Sequence, residues 1–397
     1  MAPLLLLREK VSAKRDGRGY QRGMPAAFSI VSREGTLPDK VRILVVGLGN
    51  MGASHASAYH RNPGFEIVGL MSRSIKSKKI PDELKGYPLF EDFDEALKAT
   101  KSDAVSINSW PNTHAEYALK AIEANCHVFM EKPIATNIED AEKVVAAARA
   151  KNRKLVLGYI LRVHPSWVKF IEVGKTLGKP LVMRLNLNQQ SSGPAWHWHK
   201  NLIDSLIPIV DCGVHYVDVM CQLTGAKPVR VHGIGAKLWA EADKDNYGHL
   251  HVTFDDGSVG WYEAGWGPMM SEVAFFVKDV VGPKGAVSIV ANQGGTVEDT
   301  DKLSDSADID KHTKTDAIKI HHAAVDKDKN WAKPDEIMSM TDEPGHQELC
   351  DREQAFFLKA IREDLDLSES MDAAVNSLRI VLAAEESIQK KKAIELA

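Results

Sequence analysis

The chain has 397 residues, 44% of them hydrophobic, with a formal net charge of -4 and the two signs interspersed. That length exceeds one ordinary hydrophobic core and predicts two domains. The charge pattern lacks the basic stripe that neutralises a nucleic-acid backbone, and no apolar run is long enough to span a membrane, so neither is expected as a partner.

Cys126, Cys212, Cys221 and Cys350 are scattered, with no CxxC or zinc-ribbon spacing. Free thiols in a reducing, cytoplasmic setting are expected. Residues 1–38 read as an extension outside the fold, either disordered or the product of an over-long start with Met24 as the alternative. A weak organellar presequence is the competing reading, because acidic residues are few there.

Residues 41–46, Val-Arg-Ile-Leu-Val-Val, read as a central parallel strand buried on both faces. Gly47-Leu48-Gly49-Asn50-Met51-Gly52 follows directly. Gly47 permits the tight turn, Gly49 lets backbone approach a pyrophosphate, and Gly52 allows close helix–strand packing. A helix over 51–61 then aims its first amides, near Asn50 and Met51, at that phosphate pair.

The second strand, 65–71, runs into Ser72-Arg73-Ser74. An NAD site ordinarily places an acidic residue there for the ribose diol, and positions 70–74 hold none. Ser72 and Arg73, with Lys76, Lys78 and Lys79 nearby, suit a ribose phosphate. NADP is therefore the expected cofactor, with NAD possible. The rival reading makes Arg73 a solvated surface residue.

A helix over 92–99 and a strand over 104–107 lead to Asn108-Ser109-Trp110-Pro111-Asn112-Thr113-His114. This loop belongs at the ligand-binding edge of the sheet. Ser109, Trp110, Pro111, Asn112 and His114 are candidate cofactor contacts, Trp110 as a wall for the nicotinamide. Asn112 or Thr113 is the expected helix cap, and His114 reads equally well as a structural hydrogen-bonder. The next strand, 127–130, ends in Glu131-Lys132-Pro133. A cis proline there would turn Lys132 into the crevice, where an ammonium stabilises alkoxide character. Glu131 is taken as a cofactor-side residue.

Gly47–Gly52, then Pro111-Asn112-Thr113-His114, then Glu131-Lys132-Pro133, in this order, resemble the Gfo/Idh/MocA oxidoreductase family. That family includes glucose–fructose oxidoreductases and inositol dehydrogenases. The resemblance covers roughly residues 40–390. It implies an α/β architecture: an N-terminal Rossmann domain over 39–160, then a C-terminal α/β domain over 161–397 with a large, mostly antiparallel sheet. The C-terminal helices would pack back toward the first domain, and the sheet would form a homodimer or homotetramer.

The family's further signature falls on Asp211-Cys212-Gly213-Val214-His215-Tyr216-Val217-Asp218. The resemblance implies Lys132, Asp211 and His215 as the catalytic set. Asp211 and His215 are spaced to share one helical face. His215 is assigned acid–base work, Lys132 polarises or relays, and Asp211 orients and binds substrate; His215 and Lys132 exchanging roles stays open. Gly213 would relieve crowding against the cofactor, and Asp218 would orient the imidazole. A zinc reading of Asp211, His215 and Asp218 has no cysteine support, so no metal is expected.

In the second half, 182–188 reads as a strand, and Trp196-His197-Trp198-His199-Lys200 as an aromatic loop suited to sugars. Tyr159, Arg162, Trp196 and Trp198 join Lys132, Asp211 and His215 as candidate substrate contacts; Asn186 and Tyr262 are further polar candidates. Strands over 229–236, 247–254 and 258–264 follow, the last two joined by an Asp255-Asp256-Gly257 turn. Residues 292–336 read as a polar surface excursion, and helices over 348–362 and 368–389 close the chain.

The leading expectation is NAD(P)-dependent hydride transfer at a secondary alcohol or carbonyl of a sugar, cyclitol or derivative. A redox-neutral glycoside-processing enzyme and a non-catalytic cofactor-sensing regulator are the competing classes.

Overall fold

The computed structural model describes residues 40–191, 193–203, 205–270, 277–290, 315–340 and 343–396, with the side chains of 193–195 and 198 excepted. The expected extension over 1–38, residues 292–314 of the polar excursion and the Trp198 side chain lie outside them; Ala317–His322, expected in that excursion, is instead an inner strand of the second sheet. The described residues form one compact unit.

Six short strands carry the first half: β1 Val41–Val46, β2 Phe65–Met71, β3 Leu89–Phe90, β4 Ala104–Ile107, β5 His127–Glu131 and β6 Leu155–Gly158. All pair in parallel, in the order β3-β2-β1-β4-β5-β6. This is a doubly wound dinucleotide-binding order, with its switch point between β1 and β4. The strands are largely apolar because helices cover both faces; Ile43, Leu44, Val45 and Val46 have no exposed surface. The covering helices are α1 Asn50–Arg61, α2 Phe93–Thr100, α3 Pro111–Glu123 and α4 Ile138–Ala150. Side chains cap two of them: the Asp92 carboxylate accepts from Glu95 N–H, and the Asn137 amide oxygen from Asp140 N–H, each at 2.8 Å.

The second half crosses from α5 Pro165–Thr176 into a nine-stranded sheet. Its strands are β7 Val182–Gln190, β8 Pro228–Ala236, β9 Tyr247–Phe254, β10 Val259–Gly267, β11 Lys278–Gly282, β12 Gly285–Val290, β13 Ala317–His322, β14 Glu336–Ser339 and β15 Ile394–Glu395. The order is β14-β13-β12-β11-β7-β10-β9-β8-β15, and every pair is antiparallel except β7 with β10. Alternation along β9 buries Leu250 and Val252 and leaves His249 and His251 on the other face.

The buried face is covered by α7 Pro208–Asp211, α8 Gly213–Thr224 and the last helix, α10 Ser368–Lys390; α6 Gly193–Ile203 precedes α7, and α9 His346–Arg362 precedes α10. A Cβ on Gly233 of β8 would lie 2.3 Å from the Ala384 carbonyl oxygen, so α10 reaches the strand only over a glycine. The last helices also return to the first sheet. α9 packs on α1, and the Lys154 ammonium donates to the Leu365 carbonyl at 2.7 Å.

Candidate active site

A cavity of about 550 Å³ opens at the C-terminal edge of the parallel sheet and runs to α8 and the end of β7. Its first wall is the β1–α1 turn. Gly47 sits at φ +84°, and a Cβ there would meet the Asn108 carbonyl oxygen at 2.4 Å. A Cβ on Gly52 would meet the Gly47 carbonyl oxygen at 1.9 Å, so α1 presses against the turn as expected. Gly49 differs: its Cβ would find nothing within 4 Å, because it faces the open cavity. No side chain caps α1 and no acid occupies its first turn, which leaves its N-terminal amides for an anion. This open, amide-lined approach fits a dinucleotide pyrophosphate.

Asn50, Met51, Ser72, Arg73, Ser109, Trp110, Pro111, Glu131 and Lys132 all line this cavity with the glycines. Trp110 is 48% exposed at the mouth. Ser74 and Lys78 stand beside Arg73. Asn112 and His114 are not among the lining residues. His114 is buried between two carbonyls, Nδ1 on Pro133 O at 2.7 Å and Nε2 on Ser109 O at 3.0 Å, so it ties the two loops together. The expected helix cap is also different. Trp110 is the N-cap, Pro111 opens α3, and the Thr113 hydroxyl donates to Trp110 O at 2.8 Å instead of accepting from an amide.

Deeper in, the Lys132–Pro133 bond is cis and the Lys132 ammonium reaches Asp211, 3.1 Å from Oδ1 and 3.2 Å from the backbone carbonyl. Asp211 closes α7, and His215 lies in the first turn of α8, with Cys212 joining the two helices. All three expected catalytic side chains therefore meet in one wall. Burial opposes the Lys132 charge, but the Asp211 carboxylate and then Glu131 outweigh it and hold the ammonium above its ordinary pKa. His215 goes the other way. Burial, then the neighbouring Lys132 charge, pushes it down to about 3, so the imidazole is neutral at working pH. Its Nδ1 is buried without a hydrogen-bond partner.

Asp218 does not orient that ring. It forms a two-point pair with Arg162, at 2.9 and 2.6 Å, and also accepts from Gln222. Arg162 is thereby spent on α8, and it lines a separate small cavity of about 220 Å³. Tyr159 is buried, its hydroxyl on Ser377 at 2.7 Å, with its ring edge-on behind His215 at 5.8 Å. It supports the histidine rather than facing the cavity. Trp196 is buried and stacked on Trp239 at 3.5 Å. Asn186 and Tyr262 are buried on strands β7 and β10 and line neither cavity. Gly213 makes room for Val381 and Tyr262, at 3.0 and 3.3 Å from its would-be Cβ, and not for a ligand.

Sequence reading missed Gln189, Leu187, Leu202, Cys212 and Tyr216, which line the inner end. Gln189 is informative. Its Oε1 accepts from the Trp266 indole at 2.7 Å and from the Cys212 thiol at 3.4 Å. Indole nitrogen only donates, so the amide orientation is fixed. No local signal marks Gln189, because it occupies an ordinary position of an alternating strand. Among the described residues, no metal-ligand cluster involves Asp211, His215 or Asp218, and no helix is long and apolar enough to cross a membrane. All four cysteines are free and buried.

The fold and cavity define the class: a Rossmann-type dinucleotide-binding protein whose crevice is completed by a second, mostly antiparallel sheet. The model of the oxidoreductase family with an NAD-binding Rossmann fold, Gfo/Idh/MocA, matches residues 41–159, and that of the Gfo/Idh/MocA C-terminal domain matches 170–288. The chain belongs to the Gfo/Idh/MocA oxidoreductase family, whose class is the NAD(P)-dependent dehydrogenases.

It is 28% identical over 220 residues to a UDP-N-acetylglucosamine 3-dehydrogenase of Acidithiobacillus ferrooxidans, covering 55% of this chain and 65% of that protein. It is 28% identical over 239 residues to an NAD-dependent scyllo-inositol 2-dehydrogenase of Bacillus subtilis, covering 57% and 67%. Its fold superimposes on an NAD-binding oxidoreductase from Klebsiella pneumoniae with a TM-score of 0.71 at 19% identity, covering 91% of this chain and 100% of that one.

Proposed function

We propose that the protein transfers hydride between NADP and a secondary alcohol or carbonyl of a sugar, cyclitol or derivative, with NAD as the weaker cofactor. One observation carries this reading: the charged Lys132, held by Asp211, shares one cavity with the open Gly49 approach. The relatives' names, a nucleotide-sugar 3-dehydrogenase and an inositol 2-dehydrogenase, support a ring hydroxyl as the reacting group.

The bound nicotinamide would accept or donate the hydride. Gly47, Gly49, Asn50 and Met51 would hold the pyrophosphate. Ser72, Arg73 and Lys78 would hold a ribose phosphate, since no acid at 70–74 favours the bare diol. Lys132 would donate a hydrogen bond to the reacting oxygen and stabilise its negative charge. Neutral His215 would accept the hydroxyl proton when hydride leaves the carbinol carbon, and return it in reduction. With its basicity this low, it would hand the proton on rather than store it. Gln189 would offer its amide N–H groups to a second substrate oxygen, since its carbonyl is already occupied.

Val281, Val182 and Val259, 36%, 43% and 38% exposed, sit on one face of the neighbouring strands β11, β7 and β10, and Ile234, 50% exposed, lies on the same face of β8 beyond β9. We take this face as the homo-oligomer interface, to be checked by the molar mass from light scattering after Ile234→Lys, which should halve it.

The test of the activity is direct. Purified protein is given NADP or NAD with scyllo-inositol, myo-inositol, UDP-N-acetylglucosamine and methyl glucoside, and near-ultraviolet absorbance of the reduced cofactor is followed. A net gain, faster with NADP, is the expected result. Product formation with no net absorbance change would replace the reading by a redox-neutral one.

A further inference from the structure

The Glu131 carboxylate, one residue before Lys132, is anchored from an unexpected direction. His55 lies in α1, fully buried, with its ring edge-on to Phe129 at 4.8 Å. Its Nε2 is 2.8 Å from Glu131 Oε1, and its Nδ1 accepts from the Gln354 amide of α9 at 2.8 Å. Because the Gln354 N–H donates to Nδ1, the imidazole proton sits on Nε2 and points at the carboxylate. The other carboxylate oxygen accepts the Lys132 backbone N–H at 3.2 Å. Across the sheet Gly158 makes room, since a Cβ there would lie 3.0 Å from Oε1. Glu131 itself lines the proposed active-site cavity.

We propose that His55 is a positioning residue: its Nε2–H bond, braced by Gln354, locks Glu131 as a fixed negative charge in the cavity wall, and that charge sustains the Lys132 ammonium and favours the oxidised, cationic nicotinamide. This rests on the reading of Lys132 and the cavity given above.

The electrostatics agree with the geometry. Burial alone would push Glu131 up, but His55, followed by Lys132 and His215, brings it below the ordinary carboxylate value. The neighbouring Glu353 of α9 goes the opposite way, raised by burial and then by Glu131, so the pair carries one charge. The other titratable groups facing Glu131 are Tyr59 of α1, His114 of α3 and Cys350 of α9. Burial raises Tyr59 and Cys350, which stay uncharged, and lowers His114. Glu131 is thus the anion of this cluster, and His55 is its largest stabiliser.

Two readouts need no substrate. The first is the ratio of Kd for NADP+ to Kd for NADPH between pH 7 and 9. The second is the pH at which Lys132 is acylated by acetic anhydride, read by peptide mass spectrometry. Wild type should give a flat ratio and late labelling. In His55→Phe the carboxylate loses its donor and takes up a proton more easily. The ratio should then rise about tenfold toward pH 7, and Lys132 should label about tenfold faster at pH 8. His55→Gln, which restores an N–H near the Nε2 position, should recover both to within about threefold. Glu131→Gln should reproduce the His55→Phe labelling, and the double variant should add nothing.

A flat ratio with wild-type labelling in His55→Phe would overturn the proposal. So would changes that His55→Gln fails to rescue, because those mark a merely structural role. If His55→Phe does not fold, Gln354→Leu, which removes the brace, must shift the same two readouts in the same direction. Lys132→Ala retaining full turnover would sink the catalytic assignment while leaving both readouts free to judge His55.

Discussion

The two ends of the cavity are made differently. The cofactor end is built from backbone: the Gly47 turn, the open Gly49 and the uncapped start of α1. The inner end is built from side chains far apart in the chain, Lys132 on Asp211 and Gln189 on Trp266. Backbone sites depend on where glycine is tolerated and survive wide changes around them. Side-chain sites depend on pairings that each need a second partner to stay in place. Substitutions at the inner end should therefore change chemistry, and those at the outer end should change affinity.

The largest expected effect is at the inner end. Lys132→Met should lower kcat by about 10²–10³, the usual cost of losing one donor to a developing alkoxide. Dinucleotide affinity, by tryptophan fluorescence titration, should change little. A variant that lost affinity and kept kcat would place Lys132 on the cofactor side and blur the contrast between the ends.

The glycines sharpen it next. Gly49→Ala puts a methyl into empty cavity, so thermal stability should hold while dinucleotide Kd rises about tenfold. Gly52→Ala drives a methyl to 1.9 Å from the Gly47 carbonyl oxygen, and stability should fall by about 1–3 kcal/mol, read by urea unfolding. Reversed outcomes would mean that the turn is held by something other than this close approach. Arg73→Ala should then weaken NADP about tenfold and leave NAD nearly unchanged. Equal losses would return Arg73 to the role of a solvated surface residue.

The same contrast explains what was readable in the sequence. The glycine turn and the cis bond at Pro133 follow from local patterns, because each is a backbone demand met by a specific residue. Lys132, Asp211 and His215 stood out because they sit in short motifs, and the fold brings the three into one wall. Arg162 and Asp218 were not, since each alone looks free to meet a ligand and only the fold shows them paired at 2.6 Å. Tyr159 and Trp196 failed for the same reason. An aromatic or phenolic side chain near a motif faces a cavity or a neighbour with equal ease, and here Ser377 and Trp239 claimed them. Gln189 was invisible because strand alternation says which face a residue takes but not what lies above it.

The smallest expected effect concerns acid. His164 and His199 have no exposed surface, and both are pushed down to about 4, chiefly by burial; His215 is pushed down to about 3 by burial and Lys132. Each has a folded pKa below the unfolded value of about 6.5. Above pH 6.5 both states leave these rings neutral and nothing is lost. Below it the unfolded chain binds protons that the folded chain refuses, so stability falls as pH drops toward 4. The slope approaches about 1.4 kcal/mol per pH unit for each refused proton. Urea midpoints at pH 7, 6 and 5 should show this decline. His164→Asn should flatten it by about one proton's worth whatever its effect at pH 7, because asparagine has no proton to refuse. An unchanged slope in that variant would mean that His164 takes up its proton at the same pH in the fold as in the unfolded chain, and a steeper one that the Glu343 carboxylate 3.5 Å away holds it protonated.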